Sequence, residues 1–275
     1  MIQDISPSKL INAFADLQPE DKDIVFIFDS DGKVLLGNDK GKIIFTDKKD
    51  IGENKTVYLF AVDDRRFFLS LGETKAKREG FEYLTIREVR DKFADDSKTE
   101  VYAIFTAYHL WKWYSDNKFC GRCAGKLIPG QKERSLICEK CGNTVYPRIN
   151  PAVIVGVTNG ERILLTRYRQ GYKHNALVAG FTEIGETLEE TVKREVMEET
   201  GLNVKNIRYY KSQPWGMAQD MLVGFYCDVD GDSNIHMDEN ELKYAEWVKR
   251  EDIVLQPNNL SLTNEMMRMF KEGKI

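Results

Sequence analysis

Three glutamates near the end of one predicted helix have a spacing that suits a metal ion. Glu195, Glu198 and Glu199 stand at i, i+3 and i+4, so they share one face of the helix. Like charges at this spacing destabilise a helix by roughly 0.2–0.5 kcal/mol per pair, and a hard divalent cation would offset that repulsion. The alternative is a solvated helix face, in which Arg194 forms i,i+4 ion pairs with Glu190 and Glu198.

The flanking residues predict where this helix begins and ends. Thr187 is a suitable N-cap, and Glu190 three residues later completes a capping box. Gly201 supplies a C-terminal stop. An apolar stripe recurs every four residues and predicts the buried face. The stripe consists of Leu188, Val192 and Val196.

The order of residues favours the metal site over the solvated face. The segment matches the pattern G-x5-E-x7-R-E-(aliphatic)-x-E-E-x-G-(aliphatic) at all nine fixed positions. It resembles the Nudix box, the metal-binding signature of the Nudix hydrolases. A match of this length at fixed spacing is far more specific than a lone glycine-rich motif. The matching residues are Gly180, Glu186, Arg194, Glu195, Val196, Glu198, Glu199, Gly201 and Leu202.

Four cysteines form a second motif with metal-ligand spacing. Two C-x2-C pairs are separated by fourteen residues, which is close to the spacing of a zinc ribbon. Four thiolates leave no position for a substrate, so the expected ion is structural. The alternative is two disulfides, which need an oxidising compartment, but the N-terminal sequence shows no signal peptide. We therefore predict one structural zinc ion per chain, bound by Cys120, Cys123, Cys138 and Cys141.

Other residues near the cysteines carry smaller predictions. Gly121 and Gly142 stand where tight knuckle turns need positive φ. Two short apolar runs around Pro129-Gly130 predict a hairpin that carries the knuckles. Cys227, in a strand-like segment, is expected to be an ordinary buried thiol.

The composition is that of an ordinary globular protein. The chain has 275 residues, 42% of them hydrophobic, which predicts about two domains with sizeable cores. A net charge of −4 argues against bulk, non-specific binding of nucleic acid. No apolar run approaches the eighteen or so residues of a membrane span. We expect a cytoplasmic protein.

Hydrophobic patterns divide the chain into three predicted parts of an α+β fold. Residues 1–117 form an N-terminal α/β domain, residues 118–147 the four-cysteine zinc ribbon, and residues 148–275 a C-terminal α/β/α sandwich with a mixed sheet. Asp31-Gly32 and Asp63-Asp64 are predicted hairpin turns. Predicted strands are 24–28, 33–36, 56–60, 66–69, 151–157, 162–166, 207–212, 221–229 and 245–248. Predicted helices besides that of the Nudix box are 85–93, 97–117 and 262–271, and the aromatic side chains of 97–117 are assigned to a core or an interface.

A third motif narrows the resemblance. Ser212-Gln-Pro-Trp215 follows ten residues after the box. Alone it would indicate a strand-end turn, because Pro interrupts the ladder. Together with the zinc ribbon and the N-terminal domain, it resembles the NADH pyrophosphatase branch of the Nudix hydrolases, over almost the whole chain. Where that branch continues with Pro-Phe-Pro, any residue and Ser, this chain has Gly216, Met217, Ala218, Gln219 and Asp220. The replacement removes two rigid prolines and an aromatic ring, so we expect weaker discrimination between NADH and related nucleotides.

The resemblance implies a set of site residues. The expected catalytic and metal ligands for Mg²⁺ or Mn²⁺ are Glu195, Glu198 and Glu199, joined by the carbonyl of Ala179 and by Glu241, with Glu239 as a nearby competitor. The expected substrate contacts are Tyr146, Phe181, Gln213, Pro214, Trp215, Gly216, Met217, Ala218, Gln219 and Asp220. Phe181 resembles the aromatic residue that stacks on a substrate ring.

The resemblance also implies a reaction. It is metal-dependent hydrolysis of the pyrophosphate of NADH or NAD to nicotinamide mononucleotide and AMP by a homodimer. Three alternatives remain, namely removal of NAD caps from RNA, hydrolysis of another nucleoside diphosphate derivative such as ADP-ribose, and a non-catalytic nucleotide sensor. A complete set of metal-binding glutamates disfavours the sensor.

Overall fold

The chain folds into two compact units, which are described separately. The computed structural model describes residues 1–72, 76–94, 97–170 and 174–275. The N-terminal unit consists of Gln3–Arg148 and Gly216–Gln219. The C-terminal unit consists of Met1–Ile2, Ile149–Trp215 and Asp220–Ile275.

Two small sheets make up the first part of the N-terminal unit. One has four strands in the order β1-β5-β6-β2, and the other has three in the order β4-β3-β7. The strands are β1 (Leu10–Ile11), β2 (Ile24–Phe26), β3 (Val34–Asp39), β4 (Lys42–Ile44), β5 (Thr56–Val62), β6 (Arg65–Ser70) and β7 (Phe81–Leu84).

Both predicted hairpin turns form. The turn at Asp63-Asp64 joins β5 to β6, which pair antiparallel with Val62 opposite Arg65. The turn at Asp31-Gly32 forms as well, with Gly32 at φ 79°. Phe28 and Val34 on either side of it are joined by an antiparallel bridge, and the N–H groups of Asp29 and Leu35 donate to the carbonyls of Lys33 and Ile27. Beyond this short hairpin, β2 pairs in parallel with β6, whereas β3 pairs with β4 and β7.

Two helices follow these sheets, close to the predicted positions. They are α1 (Ile86–Phe93) and α2 (Lys98–Asp116). Thr85 and Glu88 form a complete capping box at the start of α1. The aromatic side chains of α2 are mostly in the core; Phe105 and Trp113 are nearly inaccessible to solvent.

The ribbon forms a three-stranded sheet in the order β10-β9-β8. The strands are β8 (Leu127–Pro129), β9 (Leu136–Cys138) and β10 (Thr144–Val145), which confirms the predicted hairpin. Gly142 has φ 70°, as predicted. The prediction for Gly121 is wrong, because the residue with positive φ near the first knuckle is Ala124, at 56°.

A mixed six-stranded sheet forms the centre of the C-terminal unit. β11 and β15 pair in parallel along nine residues, and the other pairings are antiparallel. The order is β14-β15-β11-β12-β16, with β13 also paired to β11. The strands are β11 (Asn150–Asn159), β12 (Arg162–Tyr168), β13 (Val178–Phe181), β14 (Val204–Trp215), β15 (Asp220–Val229) and β16 (Leu242–Lys249).

Helices α3 (Leu188–Thr200) and α4 (Leu262–Lys271) cover the two faces of this sheet. Successive side chains of a strand point to opposite faces. Accordingly, Val153 and Val155 of β11 pack in the cluster that contains Val192 and Val196 of α3, whereas Ile154 packs in the cluster that contains the apolar face of α4. The predicted α+β fold with an α/β/α sandwich is therefore confirmed.

The predicted ends of α3 are also confirmed. Thr187 and Glu190 form a reciprocal capping box, and Gly201 adopts the left-handed conformation at φ 69° and donates its N–H to the carbonyl of Met197. Cys227 is fully buried, as expected. No helix in the described ranges of the chain is long and apolar enough to cross a membrane.

Two aspartates near opposite ends of β15 are held in opposite ways. Asp220 is buried, and burial raises its pKa to about 6 despite a hydrogen bond with Asn150. Asp228 accepts hydrogen bonds from Arg208, which lowers its pKa to about 2. A raised pKa means that the folded state holds the proton of Asp220 more tightly than the unfolded state does. The free energy of unfolding therefore falls as pH rises from 3.8, the ordinary pKa of this carboxyl, to about 6.

We predict that Asp220→Asn removes this loss. Its free energy of unfolding should exceed that of the parent by on the order of 1 kcal/mol at pH 7, a shift of a few degrees in Tm, and match it near pH 4. Asp228→Asn is the control of opposite sign, because a lowered pKa stabilises the fold above pH 3.8. Thermal unfolding from pH 4 to pH 8 measures both. An Asp220→Asn curve parallel to the parent curve would contradict the assignment.

Candidate active site

Glu199 is the most deeply buried of the predicted metal ligands. Its side chain is only 2% exposed. The hydroxyl of Tyr168 lies 3.4 Å from Oε1, and Oε2 is buried without a hydrogen-bond partner among the described residues. Burial, reinforced by the charges of Glu241 and Glu195, raises the pKa of Glu199 to about 8. A buried carboxylate oxygen without a partner is costly unless something else binds it.

Arg194 connects the other carboxylates of α3. Its Nη1 donates to Glu195 at 2.7 Å and to Glu198 at 3.0 Å. Its Nε donates to Glu186 at 2.5 Å, and this hydrogen bond lowers the pKa of Glu186 to about 2. Its Nη2 also reaches the carbonyl of Phe181 at 2.9 Å. One guanidinium therefore ties the helix to the end of β13.

Gly180 is required because Glu195 lies directly against the backbone there. A Cβ added at position 180 would be 1.9 Å from Cδ of Glu195. Burial raises the pKa of Glu195, opposed by its hydrogen bond from Arg194. The first residue of the box thus makes room for a carboxylate fifteen positions later.

Glu241 lies within electrostatic range of this cluster. Its negative charge contributes to the raised pKa of both Glu195 and Glu199. Its carbonyl accepts a hydrogen bond from the backbone N–H of Arg169, and the Nε of Arg169 donates to the carbonyl of Glu239. Arg169 thereby fixes the backbone from which both candidate glutamates project. The charge effects favour Glu241 over Glu239 as the distal ligand.

Tyr168 is a site residue that the sequence did not reveal. Its hydroxyl lies 3.4 Å from both the carbonyl of Ala179 and Oε1 of Glu199. It reaches them from the last residue of β12, opposite Leu242 at the start of β16. Only the strand register brings Tyr168 to the cluster, and no local motif indicates it.

The donor set of this cluster fits a hard divalent cation. Carboxylates and the carbonyl of Ala179 are oxygen ligands, which Mg²⁺ and Mn²⁺ prefer, and Oε2 of Glu199 is a buried acceptor without a partner in the described part of the chain. Glu195 and Glu198 are at present held by Arg194. Within the ranges described above, these carboxylates do not form a group of three ligand atoms within 4.8 Å of one another.

The four ribbon cysteines do form such a group. Their sulfur atoms all lie within 4.8 Å of one another, with 3.9 Å between Cys120 and Cys141 and 3.5 Å between Cys123 and Cys138. Tetrahedral zinc with bonds of about 2.3 Å places its sulfur ligands about 3.8 Å apart. Backbone hydrogen bonds from Cys141 and Lys140 lower the pKa of Cys138 to about 7, which favours the thiolate. All four are free thiols, so the alternative of two disulfides is not realised.

Several predicted substrate contacts lie in the C-terminal unit. The ring of Phe181 is 53% exposed at the end of β13, as stacking on a ligand requires. Pro214 and Trp215 end β14 and are partly exposed. Gln213, in contrast, is fully buried, and its amide bonds both the carbonyl of Leu260 and the N–H of Leu262. It holds the start of α4, and its contact with substrate stays a prediction.

The segment that departs from the family pattern packs on helix α2 within the N-terminal unit. A Cβ added at Gly216 would be 2.0 Å from the carbonyl oxygen of Phe105. Arg148 donates to the side chain of Gln219 at 3.1 Å, and the carbonyl of Arg148 lies 2.8 Å from the ring of His109. Met217 is partly exposed and Ala218 is exposed. Glycine at 216 is therefore a requirement of close packing as well as a source of backbone freedom.

Tyr146 lies just after the ribbon. Its ring is 57% exposed, and its hydroxyl donates to Glu133 at 2.8 Å. This contact orients the ring within the N-terminal unit. The predicted role of Tyr146 in substrate binding stays a prediction.

Two domain families match the chain. Residues 148–270 match the NUDIX domain, and residues 115–146 match the NADH pyrophosphatase zinc ribbon domain. The box, with its glutamates, lies in the first range, and all four zinc-ligand cysteines lie in the second.

Curated relatives match over the same region. The proteins called NAD-capped RNA hydrolase NudC from Escherichia coli, Shigella boydii and Escherichia fergusonii are each 40% identical over 151 residues. That match covers 54% of this chain and 58% of each relative. Among solved structures, a NUDIX hydrolase from Nitrosomonas europaea aligns with a TM-score of 0.49 at 22% identity, over 56% of this chain and 91% of that chain.

The two domain matches agree with the geometry of the two metal-ligand clusters. Hard oxygen donors lie in the range of the first match, and four thiols in a tetrahedral spacing lie in the range of the second. The chain therefore contains a NUDIX domain and an NADH pyrophosphatase zinc ribbon domain.

Proposed function

We propose that this protein hydrolyses the pyrophosphate bond of NADH or NAD, giving nicotinamide mononucleotide and AMP. The observation that carries the reaction type is the buried, unpartnered carboxylate oxygen of Glu199 beside Glu195 and Glu241. The zinc ribbon of the NADH pyrophosphatase type supports the choice of substrate.

Each group of the cluster has a distinct part in this proposal. Glu195, Glu198, Glu199 and Glu241, with the carbonyl of Ala179, would hold Mg²⁺ or Mn²⁺. The bound ion would neutralise the pyrophosphate and activate a water molecule for in-line attack on phosphorus. Arg194 orients Glu195 and Glu198, and Tyr168 positions Oε1 of Glu199. Phe181 presents its exposed ring to a planar ring of the substrate.

A second candidate is the removal of NAD caps from RNA. It is favoured by the name of the relatives that are 40% identical to this chain. The scissile bond and the chemistry would be the same, whereas an RNA body would add phosphate contacts. The net charge of −4 disfavours a long RNA-binding surface.

The homodimer, the cytoplasmic location and the choice between Mg²⁺ and Mn²⁺ also stay predictions.

One experiment separates these candidates. Cleavage of NADH, NAD, ADP-ribose and an NAD-capped RNA should be measured side by side with Mg²⁺ and with Mn²⁺. The proposal expects the highest kcat/KM with NADH or NAD. A higher kcat/KM for capped RNA would favour the second candidate, and a higher value for ADP-ribose would contradict both.

We predict that Glu199→Gln lowers kcat at least about a hundredfold, because the buried ligand loses its charge while its size is kept. Glu189→Gln is the matched control, since Glu189 is an exposed residue of the first turn of the same helix. The control should retain activity, and both variants should unfold with a normal transition. Near-parental turnover in folded Glu199→Gln would refute the assigned role.

For the ribbon, we predict about one tightly bound zinc ion per chain, which Cys138→Ser should release with a fall in Tm. Cys227→Ala removes the fifth cysteine, which lies outside the cluster, and should leave the zinc content unchanged. Elemental analysis of protein purified without chelator measures the stoichiometry. Parental protein that contains no zinc would rule this out.

The Gly216–Gln219 segment yields a prediction about specificity. Met217→Phe, with Gly216 retained, should raise the ratio of kcat/KM for NADH to kcat/KM for ADP-ribose. The change should come mainly from a lower KM for NADH, because the added ring would bind the substrate equally well in the ground state and in the transition state. Gly216→Pro should disturb the segment instead, since a Cβ at 216 meets the Phe105 carbonyl. An unchanged ratio in Met217→Phe would show that this segment does not set the preference.

A further inference from the structure

The N-terminal unit contains a cavity of about 810 Å³. Its walls come from the end of β6, the C-terminal half of α2 and strand β8 of the ribbon. All of its described lining residues belong to the N-terminal unit, and the glutamate cluster is in the other unit. Its volume lies in the range of roughly 300–1,000 Å³ that is usual for small-molecule sites.

One wall of this cavity is aromatic and fixed in place. The rings of Phe28 and Trp111 stack with their centroids 5.1 Å apart and their planes at 26°. Gly32 lies against Trp111, because a Cβ at 32 would be 2.8 Å from the indole ring. The ring of Phe119, which is 68% exposed, adds a second aromatic surface to the lining. The flat aromatic surface that Phe28 and Trp111 form favours a ligand with a planar ring.

The charged residues of the lining favour an anionic ligand. Lys55, Lys118 and Lys126 outnumber the acidic Asp29 and Glu53. Oδ1 of Asp29 already accepts the backbone N–H groups of residues 31 and 33, at 2.9 and 2.8 Å. Lys126 is paired with Phe119 across an antiparallel bridge, so a cation stands beside an exposed ring. The lining therefore has an excess of positive charge, whereas the chain as a whole has a net charge of −4.

We propose that this cavity is a second, non-catalytic binding site for a mononucleotide, a planar ring that carries one phosphate. The ring would pack against the aromatic wall at Trp111, and the phosphate would face Lys118 and Lys126. The inference stands on the cavity itself and does not depend on the reaction proposed for the glutamate cluster.

Tryptophan indole signals can test the proposal in the intact 275-residue chain. The chain has four tryptophans, and nitrogen-15 labelling of their indoles gives one signal each, assigned by Trp→Phe variants. AMP should shift the Trp111 signal in a saturable way, and inorganic phosphate or adenosine alone should bind there more weakly. Trp215 reports on the candidate active site, and Trp247, which donates to the carbonyl of Ser233, serves as the reference.

Variants of the lining make the test specific. Lys126→Glu should weaken the binding of AMP at Trp111 by about tenfold, with little change at Trp215. Lys132→Glu, an exposed lysine of the same ribbon outside the lining, is the matched control and should bind like the parent.

Three results would overturn the proposal. One is a Trp111 signal that does not move at AMP concentrations up to about 10 mM, because a dissociation constant above that value is too weak for a binding site. Another is equal affinity at Trp111 in the parent and in Lys126→Glu. The third is a Trp111 signal that responds to a short single-stranded RNA but not to AMP, which would make the cavity a contact for RNA.

Discussion

The candidate site depends on keeping several carboxylates together where water is scarce. Glu199 is almost fully buried and Glu195 is partly buried, and both feel the charge of Glu241. Isolated buried charges are strongly disfavoured, so the carboxylates of such a cluster are either protonated or compensated by cations. Arg194 compensates Glu186, Glu195 and Glu198 but does not reach Glu199. The uncompensated part of the cluster is therefore the part where a metal ion has the most to contribute.

The two metal-ligand clusters are distinguished by the chemistry of their donors. The ribbon offers four soft sulfur atoms that are already close to tetrahedral spacing, so its ion would complete a fold. The glutamate cluster offers hard oxygen atoms, and Arg194 donates hydrogen bonds to those of Glu195 and Glu198. The two clusters of one chain therefore suit metal ions of different kinds.

Features that depend on contiguous residues could be predicted from the sequence. The capping box at Thr187, the left-handed stop at Gly201 and the pairs of cysteines are set by local geometry, and the structure has them as expected. Features that depend on strand register could not be predicted. Tyr168 reaches Glu199 only because β12 pairs with β16, and the parallel pairing of β2 with β6 joins strands that are far apart in the sequence. The close packing of Gly216 on Phe105 could not be predicted either. The sequence showed only that Gly216 and Ala218 stand where the NADH pyrophosphatase pattern has prolines.

Each unit includes a short stretch of chain that lies far from the rest of that unit in sequence. Met1–Ile2 belong to the C-terminal unit, where the N–H of Ile2 donates to the carbonyl of Leu260, and Gly216–Gln219 belong to the N-terminal unit. Neither unit can therefore be cut out as one continuous gene segment without loss. A chain that began at residue 149 would keep every glutamate of the cluster but would leave Gly216 without the helix it packs on. Replacing the N-terminal part of the gene by that of another protein would therefore change the surroundings of Gly216–Gln219 without changing their codons.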